Sequence, residues 1–347
     1  MGQDNTTSAR PITLAALTTG LNRPSSRFRM RQYITRLAEH GVNVQEHIPF
    51  IEKTCYFPGP LKAMRHIPGI FGSRNADLVW LSRSFVKGYE TFERFLKRPR
   101  ILDVDDAVWL GRPLGRFAVP DIARSMDAVI AGNTYLAEYF ERYCKKVYVV
   151  PTAIDLDRYK LRSQAVMESR ERFVIGWTGT ASNYKYLKTI EPILGRFLRE
   201  HSRAEFMLIS DRCWKYELLP PEKVRFIMWD REKEVSALHS MSVGIMPLTD
   251  DKWTRGKCSF KMLQYMAAGL PVIASPVGMN REVLQKGDIG FAADSPDEWY
   301  EALSALYEDR SLQIKLGQAG RKIVEQFYNA DTIAGELAVI FKAQLSG

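Results

Sequence analysis

Residues 256–278 read GKCSFKMLQYMAAGLPVIASPVG. Two lysines come first, followed by an apolar run, a patch of small residues, a Gly-Leu-Pro turn and a short apolar segment. The pattern predicts a helix that starts at Ser259 as its N-cap and runs to about Ala268. On such a helix Met262, Tyr265 and Met266 face a core, while Lys261 and Gln264, three residues apart, share another face. Gly269 supplies the C-terminal turn, and Pro271 follows it. Ahead of the helix, VGIMPL reads as a strand ending near Leu248, and TDDKWTR as a polar loop that carries Arg255. Arg255, Lys257 and Lys261 then surround a helix N-terminus. That is a diphosphate site in outline, because orphan N–H groups and fixed cations meet charged oxygens, and Gln264 adds a hydrogen bond to a sugar hydroxyl.

The rest of the chain repeats this strand-loop-helix rhythm. ITLAALTTG, VNVQEHIPF, ADLVWLSR, RILDVDDAVW, MDAVIAGN and KVYVVPTAID read as strands. SSRFRMRQYITRLAEHG, with Ser25 or Ser26 as N-cap, and NTYLAEYFERYC read as helices between them. Residues 155–172 are polar and charge-rich, and read as a linker. The rhythm resumes with RFVIGWTGT, a helix over 186–200, AEFMLISD, VRFIMW, a helix in EKEVSALHSM, then VGIMPL, LPVIASP, IGFAA and two final helices. Such alternation predicts an α/β chain with parallel sheets covered on both faces, in two Rossmann-like domains. The expected divisions are 1–165, 166–328, and a terminal helix 329–347 packing back on the first domain. Ligands of open parallel sheets bind at the carboxyl ends of strands, so the loops 18–29, 103–111, 177–184 and 248–261 are the ones to read.

Composition narrows the classes. With 347 residues, 46% hydrophobic and 26% charged, the chain has material for two cores and no disorder signature. Cys55, Cys144, Cys213 and Cys258 stand alone, without metal-ligand or redox spacing, which points to a reducing, cytoplasmic setting. No apolar run reaches the roughly 18–20 residues of a spanning helix, and MGQDNTTSAR lacks the apolar core of a secretory signal. Gly2 and Thr6 satisfy the loose myristoylation pattern. The net charge of +9 lies wholly in the first half: residues 1–170 hold 26 Lys and Arg against 17 Asp and Glu, whereas residues 171–347 hold 23 of each. A basic half suggests an anionic partner or a membrane surface, or simply a solvated face. Nucleic acid is not expected, since no RNA- or DNA-binding module is recognisable.

Two further loops carry chemistry. In GWTGTASNYKYL, Gly179, Thr180 and Asn183 stand between a strand and a helix, as a phosphate-binding turn does, although neither the G-x-G-x-x-G fingerprint nor a P-loop is present. After the first strand, TTGLNRPSSRFR offers Gly20, Ser26, Arg27 and Arg29 to a phosphate or an anionic acceptor.

KCSFKMLQYMAAGLPVIASPVG, with VGIMPL before it and NREVL after it, resembles the donor-binding region of GT-B glycosyltransferases of the family 4, or group 1, type. The likeness covers residues 174–330 and extends more weakly through DAVIAGNTYLAEYF and VYVVPTAIDLDRY. It implies two Rossmann-like domains facing a central cleft, the second binding the donor and the first the acceptor. It also implies transfer of a sugar, hexose-like, from a nucleotide diphosphate to an acceptor hydroxyl, with retention. The family needs neither bound metal nor a cofactor beyond the nucleotide sugar itself. Two departures stand out. Where the family often has two glutamates eight positions apart, this chain has Gly256 and Gln264, and the second glutamate serves the nucleotide ribose. The usual glycine pair after the first strand is also absent.

DVDDAVW (103–109) contains the D-x-D spacing that binds metal in another glycosyltransferase fold, a reading the GT-B resemblance sets aside. Asp105 and Asp106 are then candidates to orient an acceptor hydroxyl or take its proton, with helix capping the alternative. FPGPLKAMRHIPGIFG (57–72) and FVKGYETFERFLKRPR (85–100) mix aromatic and basic residues, as segments resting on the inner face of a membrane do. A lipid-linked or cell-surface glycan precursor would be the matching acceptor. The rivals are a sugar-nucleotide epimerase on the same fold and an inactive nucleotide-sugar-binding protein, the missing glutamates motivating the latter.

Overall fold

Short apolar runs without polar alternation mark strands that are buried on both faces, and the two sheets are built from them. The computed structural model describes residues 10–21, 23–51, 59–163 and 171–346. The myristoylation pattern, Cys55 and the middle of the 155–172 stretch lie outside the described residues. The chain divides into two units, Met1–Thr152 with Ala330–Gly347, and Ala153–Asn329.

In the first unit, β1 (Ile12–Leu17), β2 (Val42–His47), β3 (Leu78–Ser82), β4 (Arg100–Val104), β5 (Ala128–Ala131) and β6 (Val147–Val149) form one parallel sheet in the order β2-β1-β3-β4-β5-β6. Strands β3 and β5 are buried at every position, whereas β2, at the sheet edge, mixes buried and exposed residues. The terminal helix Ala330–Ala343 packs on this unit, placing Phe341 edge-on against Trp80 at 5.1 Å and Asp331 against Arg36. The first helix after β1, Pro24–Arg29, starts earlier than its serines suggest. Arg23 is the N-cap and Pro24 opens the helix, its fixed φ matching the first turn. Ser26 is buried instead, and its Oγ accepts a hydrogen bond from the Thr19 amide at 3.1 Å.

In the second unit, β7 (Phe173–Thr178), β8 (Ala204–Ser210), β9 (Val224–Met228), β10 (Val243–Met246), β11 (Val272–Ala274) and β12 (Gly290–Ala292) form a parallel sheet in the order β12-β11-β10-β7-β8-β9. The chain leaves β7 through the helix Tyr184–Glu200 towards β8, and leaves β10 through Phe260–Ala267 towards β11. Strand order therefore reverses between β7 and β10, and their carboxyl ends leave the crevice in which ligands of such sheets bind. The helix Phe260–Ala267 buries Met262, Leu263, Tyr265 and Met266. Tyr265 reaches across β10, where a side chain at Gly244 would collide with its ring, and its hydroxyl accepts from the Thr178 amide at 2.9 Å. The helix that carries Lys261 is thereby tied to the end of β7. Among the described residues no helix is long and apolar enough to cross a membrane.

Candidate functional site

Strand β7 ends at Thr178, and Gly179 follows in the crevice. A Cβ on residue 179 would stand 2.6 Å from Lys261 Cε and 2.8 Å from Trp177 Cη2, so glycine is what lets the lysine lie over the strand end. Lys261 Nζ sits 4.1 Å from the centre of the Trp177 ring. No carboxylate and no hydrogen-bond acceptor among the described residues meets this ammonium. Burial, reinforced by the neighbouring Lys257 charge, lowers its pKa from 10.5 to about 7. Lys257 lies half-buried, 5.9 Å from the ring centres of both Tyr186 and Trp253. Two lysines thus crowd one strand end, and the inner one has no counter-charge. An anion there would give Lys261 a counter-charge.

The third expected cation stands apart. Arg255 is exposed and engages Asp250 through two parallel bonds, Nε to Oδ1 at 2.6 Å and Nη2 to Oδ2 at 3.0 Å. It closes the short turn Lys252–Arg255, whose start is capped by Asp251 accepting from the Trp253 and Thr254 amides.

Ser259 does not cap the helix. Its backbone is left-handed, with φ of 48°, which turns the side chain away from the helix amides. Its hydroxyl donates to Asn280 Oδ1 at 2.6 Å, and Asn280 donates in turn to the Ser275 carbonyl at 3.1 Å. The serine pins the helix start to the loop after β11.

Gln264 is not turned to a sugar either. It is buried, and its Nε2 donates to Tyr159 Oη at 2.7 Å and Glu234 Oε1 at 3.2 Å. Glu234 also accepts from Tyr159, Arg158 and Trp229. The three-residue spacing from Lys261 gave a common face, but Tyr159 and Glu234 claim the amide for a packed polar network.

The turn after β7 closes on itself. Thr180 Oγ1 lies 2.9 Å from Ser182 Oγ and accepts from Asn183 Nδ2 at 3.0 Å. The Ala181 amide donates to Asp211 Oδ1 at 2.7 Å, so a carboxylate from the end of β8 stands where a phosphate was expected. Of the three residues read in this loop, Gly179 is the one that meets the lysine cluster.

In the first unit Gly20 follows β1 in the buried turn that holds Ser26, and the Arg27 guanidinium lies 4.8 Å from the Phe28 ring centre. Arg29 is a structural residue, not an anion receptor. Only 2% exposed, it binds both oxygens of Asp103, at 2.9 and 3.1 Å, and donates to the Val150 carbonyl at 2.7 Å. This arrangement locks β4 to the end of β6.

Asp105 and Asp106 are both held by Arg83, from Nε and Nη2 respectively, each at 2.6 Å. Burial alone would raise the Asp105 pKa, but the Arg83 charge and its hydrogen bond pull it below the usual carboxylate range. A carboxylate held ionised is a poor proton acceptor, so the role of general base does not fit Asp105, whereas orienting a hydroxyl does. Arg83 itself was not legible in the sequence. It sits just beyond β3 with φ of 58°, a conformation a non-glycine residue adopts only where its surroundings enforce it. Its one signal was its position after a strand that borders the reversal point of the first sheet. Among the described residues no three His, Cys, Asp or Glu side chains converge as a metal site requires.

Residues 172–309 match the family model described as "Glycosyl transferases group 1". A GDP-mannose-dependent alpha-(1-6)-phosphatidylinositol monomannoside mannosyltransferase of Mycobacterium tuberculosis is 25% identical over 255 residues, covering 66% of this chain and 65% of that protein. The match therefore spans just under two thirds of the relative's length. An N-acetyl-alpha-D-glucosaminyl L-malate synthase of Bacillus anthracis is 24% identical over 194 residues, 53% of this chain and 49% of that protein. Among solved structures, sucrose-phosphate synthase from Thermosynechococcus elongatus aligns over 96% of this chain and 99% of its own, with a TM-score of 0.73 at 13% identity. Anabaena HepE in complex with UDP and glucose aligns over 96% and 100%, with a TM-score of 0.67 at 14% identity. Residues 172–309 are thus similar to the group 1 glycosyl transferases, and the two parallel six-stranded sheets share the GT-B fold of these solved structures.

Proposed function

We propose that the protein moves a sugar, most simply a hexose, from a nucleoside diphosphate to an acceptor hydroxyl, and that the second unit holds the diphosphate. The observation that carries this reading is Lys261, a crowded ammonium without a counter-ion at the β7 end. When the glycosidic bond breaks, negative charge gathers on the departing diphosphate. A cation already fixed in a partly dry site stabilises that charge without reorganising. Lys257 adds a second charge, and Arg255 joins by exchanging Asp250 for a phosphate oxygen. With cations in these roles no metal is required to offset the diphosphate. The family resemblance supports transfer with retention. Asp105 and Asp106, both held by Arg83, orient the acceptor.

The relative from Mycobacterium tuberculosis is GDP-mannose-dependent and the Anabaena neighbour holds UDP and glucose. Both support a nucleotide sugar as co-substrate and leave guanine and uracil as the bases to try. The deciding experiment incubates the protein with UDP- and GDP-sugars with and without candidate acceptors and follows free nucleoside diphosphate. Acceptor-dependent release identifies a transferase. Interconversion of the donor without release identifies an epimerase, and binding without turnover identifies an inactive binding protein.

A lipid-linked acceptor is supported by one surface of the first unit. Leu61, Met64 and Phe71 are 51, 44 and 56% exposed on the consecutive turns Gly59–His66 and Ile67–Gly72. Lys62, Arg65 and Arg74 stand among them, with the Arg74 guanidinium 4.3 Å from the Phe71 ring centre. Apolar side chains rimmed by cations suit the interface of an anionic bilayer. The protein is expected to sediment with vesicles containing phosphatidylglycerol, and Phe71→Ser with Met64→Ser to weaken that binding several-fold. Equal sedimentation of wild type and variant would point to a soluble acceptor.

A further inference from the structure

The amino-terminal edge of the second sheet, at the opposite strand ends from Gly179 and Lys261, carries a cavity of about 70 Å³. Its wall includes Arg162, Arg172, Arg203 and Arg310, with Ser242 and Tyr307 between them. Four arginines line it, three of them (Arg172, Arg203 and Arg310) from residues 171–347, where 23 cations stand against 23 anions and the net charge is zero. The concentration is local and not a by-product of a basic sequence. We propose that this cavity is a second anion site, separate from the diphosphate cluster, that takes a phosphate dianion or the phosphate end of a phosphomonoester.

Arg162, Arg203 and Ser242 are each placed by an interaction of their own. Arg162 is buried and held by a bond from Nη1 to the Met241 carbonyl at 2.7 Å. Arg203 lies with its guanidinium 5.1 Å from the Tyr307 ring centre, its Nε directed to the Tyr307 hydroxyl at 3.4 Å. Ser242 Oγ accepts from the Val174 amide at 3.0 Å, which leaves its own proton to donate. Arg310 opens the helix Arg310–Phe327, whose N-cap Asp309 accepts from the Leu312 amide. Among the described residues two carboxylates oppose the cluster: Glu205 pairs with Arg172, and Glu171 lies on the wall, exposed. Among the described wall residues and their partners, four cations stand against two anions. Planar guanidinium forks match the tetrahedral oxygens of phosphate better than single-point donors do. The volume suits a phosphate group, and the ligand's remaining atoms would extend into solvent.

The test is thermal unfolding of the full chain in inorganic phosphate against chloride at equal ionic strength. Four proteins are compared: wild type, Arg203→Gln with Arg310→Gln, Lys261→Ala, and all three substitutions together. The double variant changes half-exposed and exposed side chains, so it is expected to fold. Phosphate at about one hundred times its dissociation constant should raise the wild-type Tm by several degrees. The double variant should lose most of that rise, and Lys261→Ala should keep it. A response lost in Lys261→Ala and kept in the double variant would assign the phosphate to the diphosphate cluster and overturn the second site. No response in wild type would overturn it as well. The source of the phosphate is read from two further arms. A larger shift with a hexose phosphate than with inorganic phosphate supports a free metabolite. Binding to phosphatidic acid vesicles that the double variant loses supports a lipid headgroup. Because Lys261→Ala is tested alone, failure of the proposed transferase reading and failure of this site give different results.

Discussion

Replacing Lys261 by methionine should cut stabilisation by nucleoside diphosphates to half or less and leave the unliganded protein as stable as wild type or more so. A ligand at one hundred times its dissociation constant adds about 2.7 kcal/mol to a protein it binds only when folded. Wild type is expected to gain that increment, and the variant about half of it at most, because a charge-assisted contact of about 1.5–3 kcal/mol is lost from the centre of the site. The effect on the unliganded protein has the opposite sign. A lysine whose pKa falls from 10.5 to about 7 on folding is a group the fold holds against its preference. Between pH 7 and 10.5 the unfolded chain binds the extra proton, so wild-type stability relative to the variant rises with pH across that window. Below pH 7 the full cost is present. Thermal melts at pH 6.5 and 9, with and without diphosphate, check both halves. A variant that responds to diphosphate as fully as wild type would remove Lys261 from the site.

The second large effect is expected in the first unit. Arg29→Met leaves Asp103 buried without its partner, a change that costs about 3–5 kcal/mol. Adding Asp103→Asn should recover part of the loss, since the uncompensated charge is then gone. Urea unfolding followed by tryptophan fluorescence reads it out, Trp80 lying in that unit's core. Diphosphate binding should survive in the folded fraction. Had Arg29 been an anion receptor, its loss would leave stability nearly unchanged and weaken binding. An unchanged unfolding midpoint would therefore contradict the structural role.

What the sequence made legible is what neighbouring residues decide. Apolar runs such as LVWLS and AVIA could only be strands buried on both faces, and their alternation with helices implied parallel sheets. The strand-loop-helix around residues 243–267 placed Lys261 near a strand end by local geometry alone. The side chains that departed from expectation were claimed by partners far along the chain. Gln264 meets Tyr159, 105 residues away, and Glu234, 30 residues away. Arg29 meets Asp103 at a separation of 74 residues. Arg83 reaches Asp105 over 22 residues, between adjacent strand ends whose neighbourhood depends on the strand order. Helical periodicity assigns a face and says nothing of which groups lie opposite it. Ser259 illustrates a further limit: its residue type favours a cap, and a left-handed backbone removed the geometry a cap needs.

The central claim is that Lys261 receives the diphosphate, and calorimetric titration of UDP and GDP at pH 7.5 and 9, in two buffers of different ionisation enthalpy, tests it most directly. The diphosphate requires the charged lysine, and free Lys261 loses its proton near pH 7. Binding above that pH should therefore draw up to about one proton from the buffer, and affinity should fall by up to about tenfold per pH unit. Lys261→Met should show neither. Equal affinity at both pH values with no proton exchange, or wild type and variant binding alike, would contradict the account.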